Sequence, residues 1–312
     1  MRQLAFSITI IIILTSCHKV VSPKLEDQLL RIPYVSTIDT TEREYFVYLP
    51  KGYQKNETKK WPIFLFLHGN GERGNGKDEL DYTLIHGPLY EAWIQKRDLP
   101  FIIIVPQLHM FNQDKLGLSY IDNRTKDWIP KRLENGTPSR TKDYIIKQPM
   151  LGTLPIDTIP KLSHTKFGWN KVENDLLAML DKTLKNYNAD ENRIYLSGIS
   201  YGGFGTWYIA SKNPKLFAAI NPVVGWGHPS LMDSIAKYKI PVWQFAGGRD
   251  QVIPVKYFYK GLNKLEKLGH HNVRFTIHED MSHDTWRRVY EGNDIYNWLL
   301  ENNKEDKDKQ LK

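Results

Sequence analysis

The stretch Arg193-Ile-Tyr-Leu-Ser-Gly198-Ile-Ser200-Tyr-Gly202-Gly-Phe-Gly-Thr-Trp207 decides how this 312-residue chain is read. Ile194 to Leu196 is a short apolar run suited to a buried strand, and the residues from Phe204 to Ala210 suit a helix. Between them stands Gly-x-Ser-x-Gly. Alone, such a string arises by chance in about one chain in ten of this length. On a tight strand-to-helix turn it gains a mechanism, because the turn strains the serine backbone and needs small neighbours at 198 and 202. The hydroxyl then projects from the carboxyl edge of the sheet. Ser200 is therefore the candidate nucleophile, set against a plainer reading as a solvent-facing serine in a glycine-rich turn.

A neutral serine needs a base, and the base needs an acid to orient it. Downstream, Val242-Trp-Gln-Phe-Ala-Gly-Gly-Arg-Asp250 reads as a buried strand running into a glycine turn, with Asp250 where such an acid belongs. Its plainer role is to cap the following helix. His283 lies in the loop Glu279-Asp-Met-Ser-His283-Asp-Thr-Trp286 after the alternating run Val273 to Ile277. A loop lets its ring reach between strands, so His283 is the candidate base. His278 is second choice, and His228, His270 and His271 are expected at the surface. Upstream, Phe66-Leu-His68-Gly-Asn70-Gly-Glu-Arg-Gly74 leaves an apolar strand at the same sheet edge. The backbone N–H groups of Asn70 and Tyr201 are the candidate oxyanion donors, with His68 bracing the loop.

Farther out, uninterrupted apolar runs at Ile63 to Leu67, Phe101 to Val105, Ile194 to Leu196 and Val242 to Phe245 suit a parallel sheet covered on both faces. Glu44 to Pro50 reads as an antiparallel edge strand. Helical patterns alternate with the strands. Asn170 and Glu173 form a possible capping box, followed by Val172, Leu176, Leu180 and Leu184 on one face. Pro254 reads as a first-turn residue, with Gly269 as the stop of that helix. The alternation predicts an α/β, mostly parallel, doubly wound sheet with helices on both faces. Residues from about 108 to 168 carry five prolines and no sustained period, so they read as an insertion over the active-site mouth or an unstructured surface loop. Residues 301–312 read as a frayed, charged tail.

The start of the chain has its own signal. Arg2 precedes an apolar run from Leu4 to Leu14, long enough for a signal segment and too short for a permanent span. Leu14-Thr-Ser-Cys17 follows, with the only cysteine, and resembles the bacterial lipobox. That resemblance implies export, cleavage before Cys17, lipid attachment there and a membrane anchor, with an ordinary signal peptide as the alternative. Residues 18–30 then read as a tether to a domain at 31–300, and His18 in place of Asp favours the outer membrane. The formal net charge of +8 is spread among acidic residues rather than gathered in a block, so no nucleic-acid partner is expected. No zinc spacing, P-loop or dinucleotide fingerprint is present, and no metal or cofactor is expected.

Taken together, His68-Gly-Asn-Gly-Glu-Arg-Gly74, Val105-Pro-Gln107, the Ser200 segment, Pro214-Lys-Leu-Phe-Ala-Ala219, Gly248-Arg-Asp-Gln-Val-Ile-Pro254 and His283-Asp-Thr-Trp286 resemble an esterase group of the α/β-hydrolase superfamily. That group carries the labels "predicted peptidase" and phospholipase/carboxylesterase-like. The resemblance runs from about 44 to 300, apart from the insertion. It implies an α/β-hydrolase fold and ester hydrolysis, with feruloyl and acetyl esterases of polysaccharide among the relatives. The chain departs from the group at Tyr201, where Met is common, and at 108–168, where a short loop shapes the acyl pocket. Two rival readings remain open: a serine peptidase using the same triad, and a non-catalytic sugar-binding lipoprotein on a hydrolase scaffold.

Overall fold

A buried parallel sheet needs apolar side chains on both faces of each strand. The chain meets that demand with eight strands: β1 (Gln28–Val35), β2 (Glu42–Leu49), β3 (Trp61–Leu67), β4 (Ile102–Val105), β5 (Ala189–Ile199), β6 (Ala219–Val223), β7 (Val242–Gly247) and β8 (Val273–His278). The computed structural model describes residues 25–309 apart from 56, 135–147, 150–155, 157 and 161–167. The expected signal segment and Cys17 lie outside the described residues. The strand order is β1-β2-β4-β3-β5-β6-β7-β8; β2 runs antiparallel to both of its neighbours, β1 and β4, and β3 to β8 pair parallel.

Alternate side chains of the strands feed two separate cores. On one face Val47, Ile63, Leu65 and Ile104 pack with Leu176 and Leu180 of α3 (Glu173–Asn186), Trp207 of α4 (Tyr201–Lys212), Ile235 of α5 (Met232–Lys237) and Leu265 of α6 (Tyr259–Lys267). On the other, Phe46, Phe64, Phe66 and Ile103 meet Leu89 of α1 (Gly87–Leu89), Tyr290 of α7 (Trp286–Glu291) and Trp298 of α8 (Asp294–Leu300). This is a doubly wound α/β architecture. The segment from 108 onward includes α2 (Ser119–Asp122) and short 3-10 turns at Gln113–Lys115 and Lys126–Trp128.

Several expectations need correction. Strand β2 is not the edge, because β1 pairs along its whole length and the sheet domain starts at Gln28, inside the expected tether. The alternating exposure of β1 and its Pro33 hide it in the sequence. Strand β6 was also masked, since Asn221 and Pro222 usually break strands. Asn221 is tolerated at full burial because Nδ2 donates to the carbonyl of Trp243 at 2.6 Å and Oδ1 accepts from Ser197 Oγ at 3.0 Å.

No capping box forms at Asn170. Trp169–Val172 is a 3-10 turn, and Glu173 instead accepts from Asn213 Nδ2 at 2.8 Å, tying the start of α3 to the end of α4. Pro254 precedes a 3-10 turn at Val255–Tyr257 rather than opening α6. Gly269, at φ +73°, does stop α6: its N–H and that of His270 close a Schellman pair on the carbonyls of Glu266 and Leu265. The charged tail is not wholly frayed. Lys304–Lys309 forms α9, and Lys307, 3% exposed, donates to the carbonyls of Phe217 at 2.9 Å and Pro214 at 3.2 Å. Its buried head is held by carbonyls left over at a helix-to-strand turn.

Candidate active site

The turn from β5 into α4 puts Ser200 at φ 51° and ψ −113°, a backbone conformation that costs a non-glycine residue on the order of 1–3 kcal/mol. The surrounding glycines make that turn possible. A Cβ at Gly202 would collide with the carbonyl of Leu67, and one at Gly198 with the carbonyl of Gly202. The strained turn is fixed by hydrogen bonds from Ser200 N–H to Val223 O at 3.0 Å and from Phe204 N–H to Ser200 O at 3.1 Å. Its hydroxyl faces a cavity of about 580 Å³ at the carboxyl ends of the parallel strands.

His283 Nε2 lies 3.0 Å from Ser200 Oγ, and His283 Nδ1 lies 2.8 Å from Asp250 Oδ2. The fully buried carboxylate accepts a hydrogen bond from Nδ1–H, leaving the Nε2 lone pair for the serine O–H. Asp250 also plays the capping part: its Oδ1 accepts the N–H groups of Val252 and Ile253 at 2.8 Å each. The two readings of Asp250 thus coexist on different oxygens. The histidine loop is seated on the end of β7, where Gly248 N–H donates to His278 O at 2.9 Å and Arg249 N–H to Met281 O at 2.9 Å. A side chain at Gly247 would strike the backbone of Ser282. His278 is aimed elsewhere, stacked on Phe245 with centroids 5.9 Å apart. His270, expected at the surface, is 6% exposed with Nε2 2.7 Å from Ile240 O, because the Schellman turn folds it back under the sheet.

Asn70 and Tyr201 both line the cavity beside Ser200. Tyr201 is the first residue of α4, so its N–H has no intrahelical partner and is placed to serve an anion. Asn70 is held by its side chain, with Nδ2 donating to Tyr120 Oη at 2.9 Å and Oδ1 accepting from Arg73 Nε. His68 braces the same loop. It is 1% exposed, its Nε2 accepts Leu108 N–H at 2.9 Å, and Nδ1–H donates to Gly69 O at 2.6 Å. Burial drives its pKa down to about 3, so the ring stays neutral and cannot compete as a base.

Four residues to which the sequence argument gave no role shape this loop and its cavity. Arg124 Nη1 donates to the carbonyls of Gly71 at 2.9 Å and Arg73 at 2.5 Å, and Nη2 to Glu79 at 3.0 Å. Glu72, 6% exposed, is pushed up to about 7 by burial, only partly countered by backbone N–H groups and Arg124. His86 faces Glu72 at 3.9 Å and is lowered by burial to about 4. Trp226 closes one side of the cavity, edge-on to Phe204 at 5.4 Å. Of these contacts only that of Phe204 had a readable signal, as Phe204 stands one helical turn beyond the serine.

Comparisons with known proteins bear on the fold. The Prolyl oligopeptidase family profile matches residues 164–246, which span the elbow and the strand before Asp250. Acetylxylan esterase A of Emericella nidulans is 33% identical over 93 residues, 27% of this chain and 30% of that protein. A bifunctional acetylxylan esterase/xylanase of Neocallimastix patriciarum is 34% identical over 76 residues, 24% of this chain and 11% of that protein. The aligned stretch therefore spans less than a third of either curated relative. A thermostable esterase of known structure superposes with a TM-score of 0.60 at 25% identity, covering 88% of this chain and 63% of that one. The architecture is the α/β-hydrolase fold.

Proposed function

We propose that this chain, an α/β-hydrolase by fold, is a serine carboxylic-ester hydrolase that works through an acyl-enzyme on acylated polysaccharide or oligosaccharide. The observation that carries the reading is the unbroken line from Ser200 Oγ through the imidazole of His283 to a buried Asp250, opening on an aromatic-lined cavity. Ser200 Oγ attacks the ester carbonyl carbon while Nε2 of His283 takes its proton. The carbonyl oxygen becomes an oxyanion facing the N–H groups of Asn70 and Tyr201. Collapse expels the alcohol, which receives the proton from His283, and water repeats the sequence to free the acid. Asp250 keeps the Nδ1 proton in place throughout and stabilises the imidazolium.

The substrate class is supported by the two acetylxylan esterases similar over the segment from their matches, and by a cavity of about 580 Å³, ample for an aromatic or a short acyl group. Replacing Ser200 with Ala should lower turnover of 4-nitrophenyl acetate about 10⁶-fold without loss of fold. It should also abolish labelling by a fluorophosphonate probe. A folded variant that keeps most of its activity would refute the assignment.

The Prolyl oligopeptidase match favours a second reading, amide hydrolysis by the same residues. It demands protonation of a far poorer leaving group, so matched aryl esters and anilides separate the two. For location, the reading is export with a lipid on Cys17 holding the protein to a bacterial membrane, the outer one favoured; its support is the Leu14-Thr-Ser-Cys17 string after the apolar run.

A further inference from the structure

Two large aromatic side chains stand half in solvent at the mouth of the cavity. Tyr120 is 47% exposed and Trp128 is 50% exposed, yet both line the space that holds Ser200. The segment that carries them is anchored by side chains. Tyr120 Oη accepts from Asn70, and Arg124, between them in sequence, is clamped to the carbonyls of Gly71 and Arg73. The rings are thus presented by a hydrogen-bonded frame, where burial in a core would be the ordinary fate of residues this large.

Sheet order explains what they face. Strands β3 and β6 flank β5 on opposite sides, so the β3 loop that holds Tyr120 and the segments after β6 and β7 lie on opposite sides of Ser200. On the β6 and β7 side Trp226 is 3% exposed and Ile253 8% exposed, while Val252 at the rim is 69% exposed. On the β3 side the exposed groups at the rim are the two aromatic rings. An ester has two arms, and the arm that continues into a polymer must leave where the cavity meets solvent.

We propose that Trp128 and Tyr120 form a stacking platform for the neutral sugar rings of the glycan that carries the ester. This rests on the ester-hydrolase reading and adds the place where the alcohol moiety is held. A pyranose ring offers an apolar face of C–H groups and a rim of hydroxyls. The half-exposed indole and phenol rings match the face, and the phenol oxygen of Tyr120 lies within reach of the rim. Arg124, the cation of this wall, already spends both terminal nitrogens on carbonyls and on Glu79, so it does not select an acidic sugar. Two rings are also far too little area for a stable protein partner, which needs about 800 Å² on each side.

The test compares a small and a polymeric substrate. Trp128→Ala should lower kcat/KM on acetylated xylan roughly 3- to 10-fold, the range an aromatic contact is worth. Its kcat/KM on 4-nitrophenyl acetate should change less than about twofold by the same scale, and Trp128→Phe should restore most of the loss on xylan. Binding is read separately in the Ser200→Ala background, by affinity electrophoresis in soluble deacetylated xylan: retention is expected, and it should weaken when Trp128→Ala is added. Equal loss on both substrates, or no retention by xylan, would overturn the platform. Failure of the wild-type protein on every ester, with xylan retention still dependent on Trp128, would sink the ester reading and leave the platform standing.

Discussion

Changing Asp250 to Asn isolates the one proton on which the proposed chemistry turns. The carboxylate uses its oxygens differently: Oδ1 receives two backbone N–H groups at 2.8 Å, and Oδ2 receives Nδ1–H of His283 at 2.8 Å. Asparagine has one acceptor oxygen, and two N–H donors already claim that position. Its NH₂ must then point at His283, which forces Nδ1 to accept and moves the ring proton to Nε2. From there it points at Ser200 Oγ, 3.0 Å away, and no lone pair remains to take the serine proton. The expected loss in kcat is about 10⁴-fold, or about 5 kcal/mol of barrier, as for other triads with the wrong tautomer. The fold should hardly notice, because both capping bonds survive. Asp250→Ala, in contrast, removes the caps as well and should cost about 1–2 kcal/mol of stability, read as a melting point lower by about 2–4 °C per kcal/mol. Initial rates on 4-nitrophenyl acetate and thermal melts of both variants supply the measurements. An Asn variant within tenfold of wild type, or one that melts like the Ala variant, would show that Asp250 does not fix the tautomer in this way.

Two other outcomes are expected. The carboxyl of Glu72 has its pKa raised by burial to about 7, so the folded protein keeps a proton that the unfolded chain has lost, and the stability this contributes is full below about pH 4.5 and is lost as pH rises through 7. Glu72→Gln should therefore gain stability over wild type, on the order of 2 kcal/mol, at pH 8 relative to pH 5 in urea titrations, whereas a difference independent of pH would rule out this source. For the anchor, Cys17→Ala should abolish incorporation of labelled fatty acid and release the mature protein from membranes, and continued labelling with full membrane partition would disprove the lipobox reading.

The amino-acid sequence by itself determined the elbow and the parallel core. Gly198, Ser200 and Gly202 sit within five residues, and their constraint is steric and local. The apolar runs of β3, β4, β5 and β7 follow from burial on both faces, which any window of the chain displays. Asp250 and His283 were legible as loop residues after strands, but their meeting depends on β7 and β8 lying side by side and on Ser282 packing against Gly247. Strands β1 and β6 escaped notice because tertiary partners override their poor local signals: β2 supplies the whole ladder for one, and Ser197 and Trp243 satisfy Asn221 in the other. Lys307 looked solvated by composition and is buried by the carbonyls of a turn some ninety residues earlier. The cavity wall was the least readable part, for the same reason. Tyr120 and Arg124 come from a segment without period or motif and act through contacts with the 68–74 loop, so only the folded chain shows which donor meets which carbonyl.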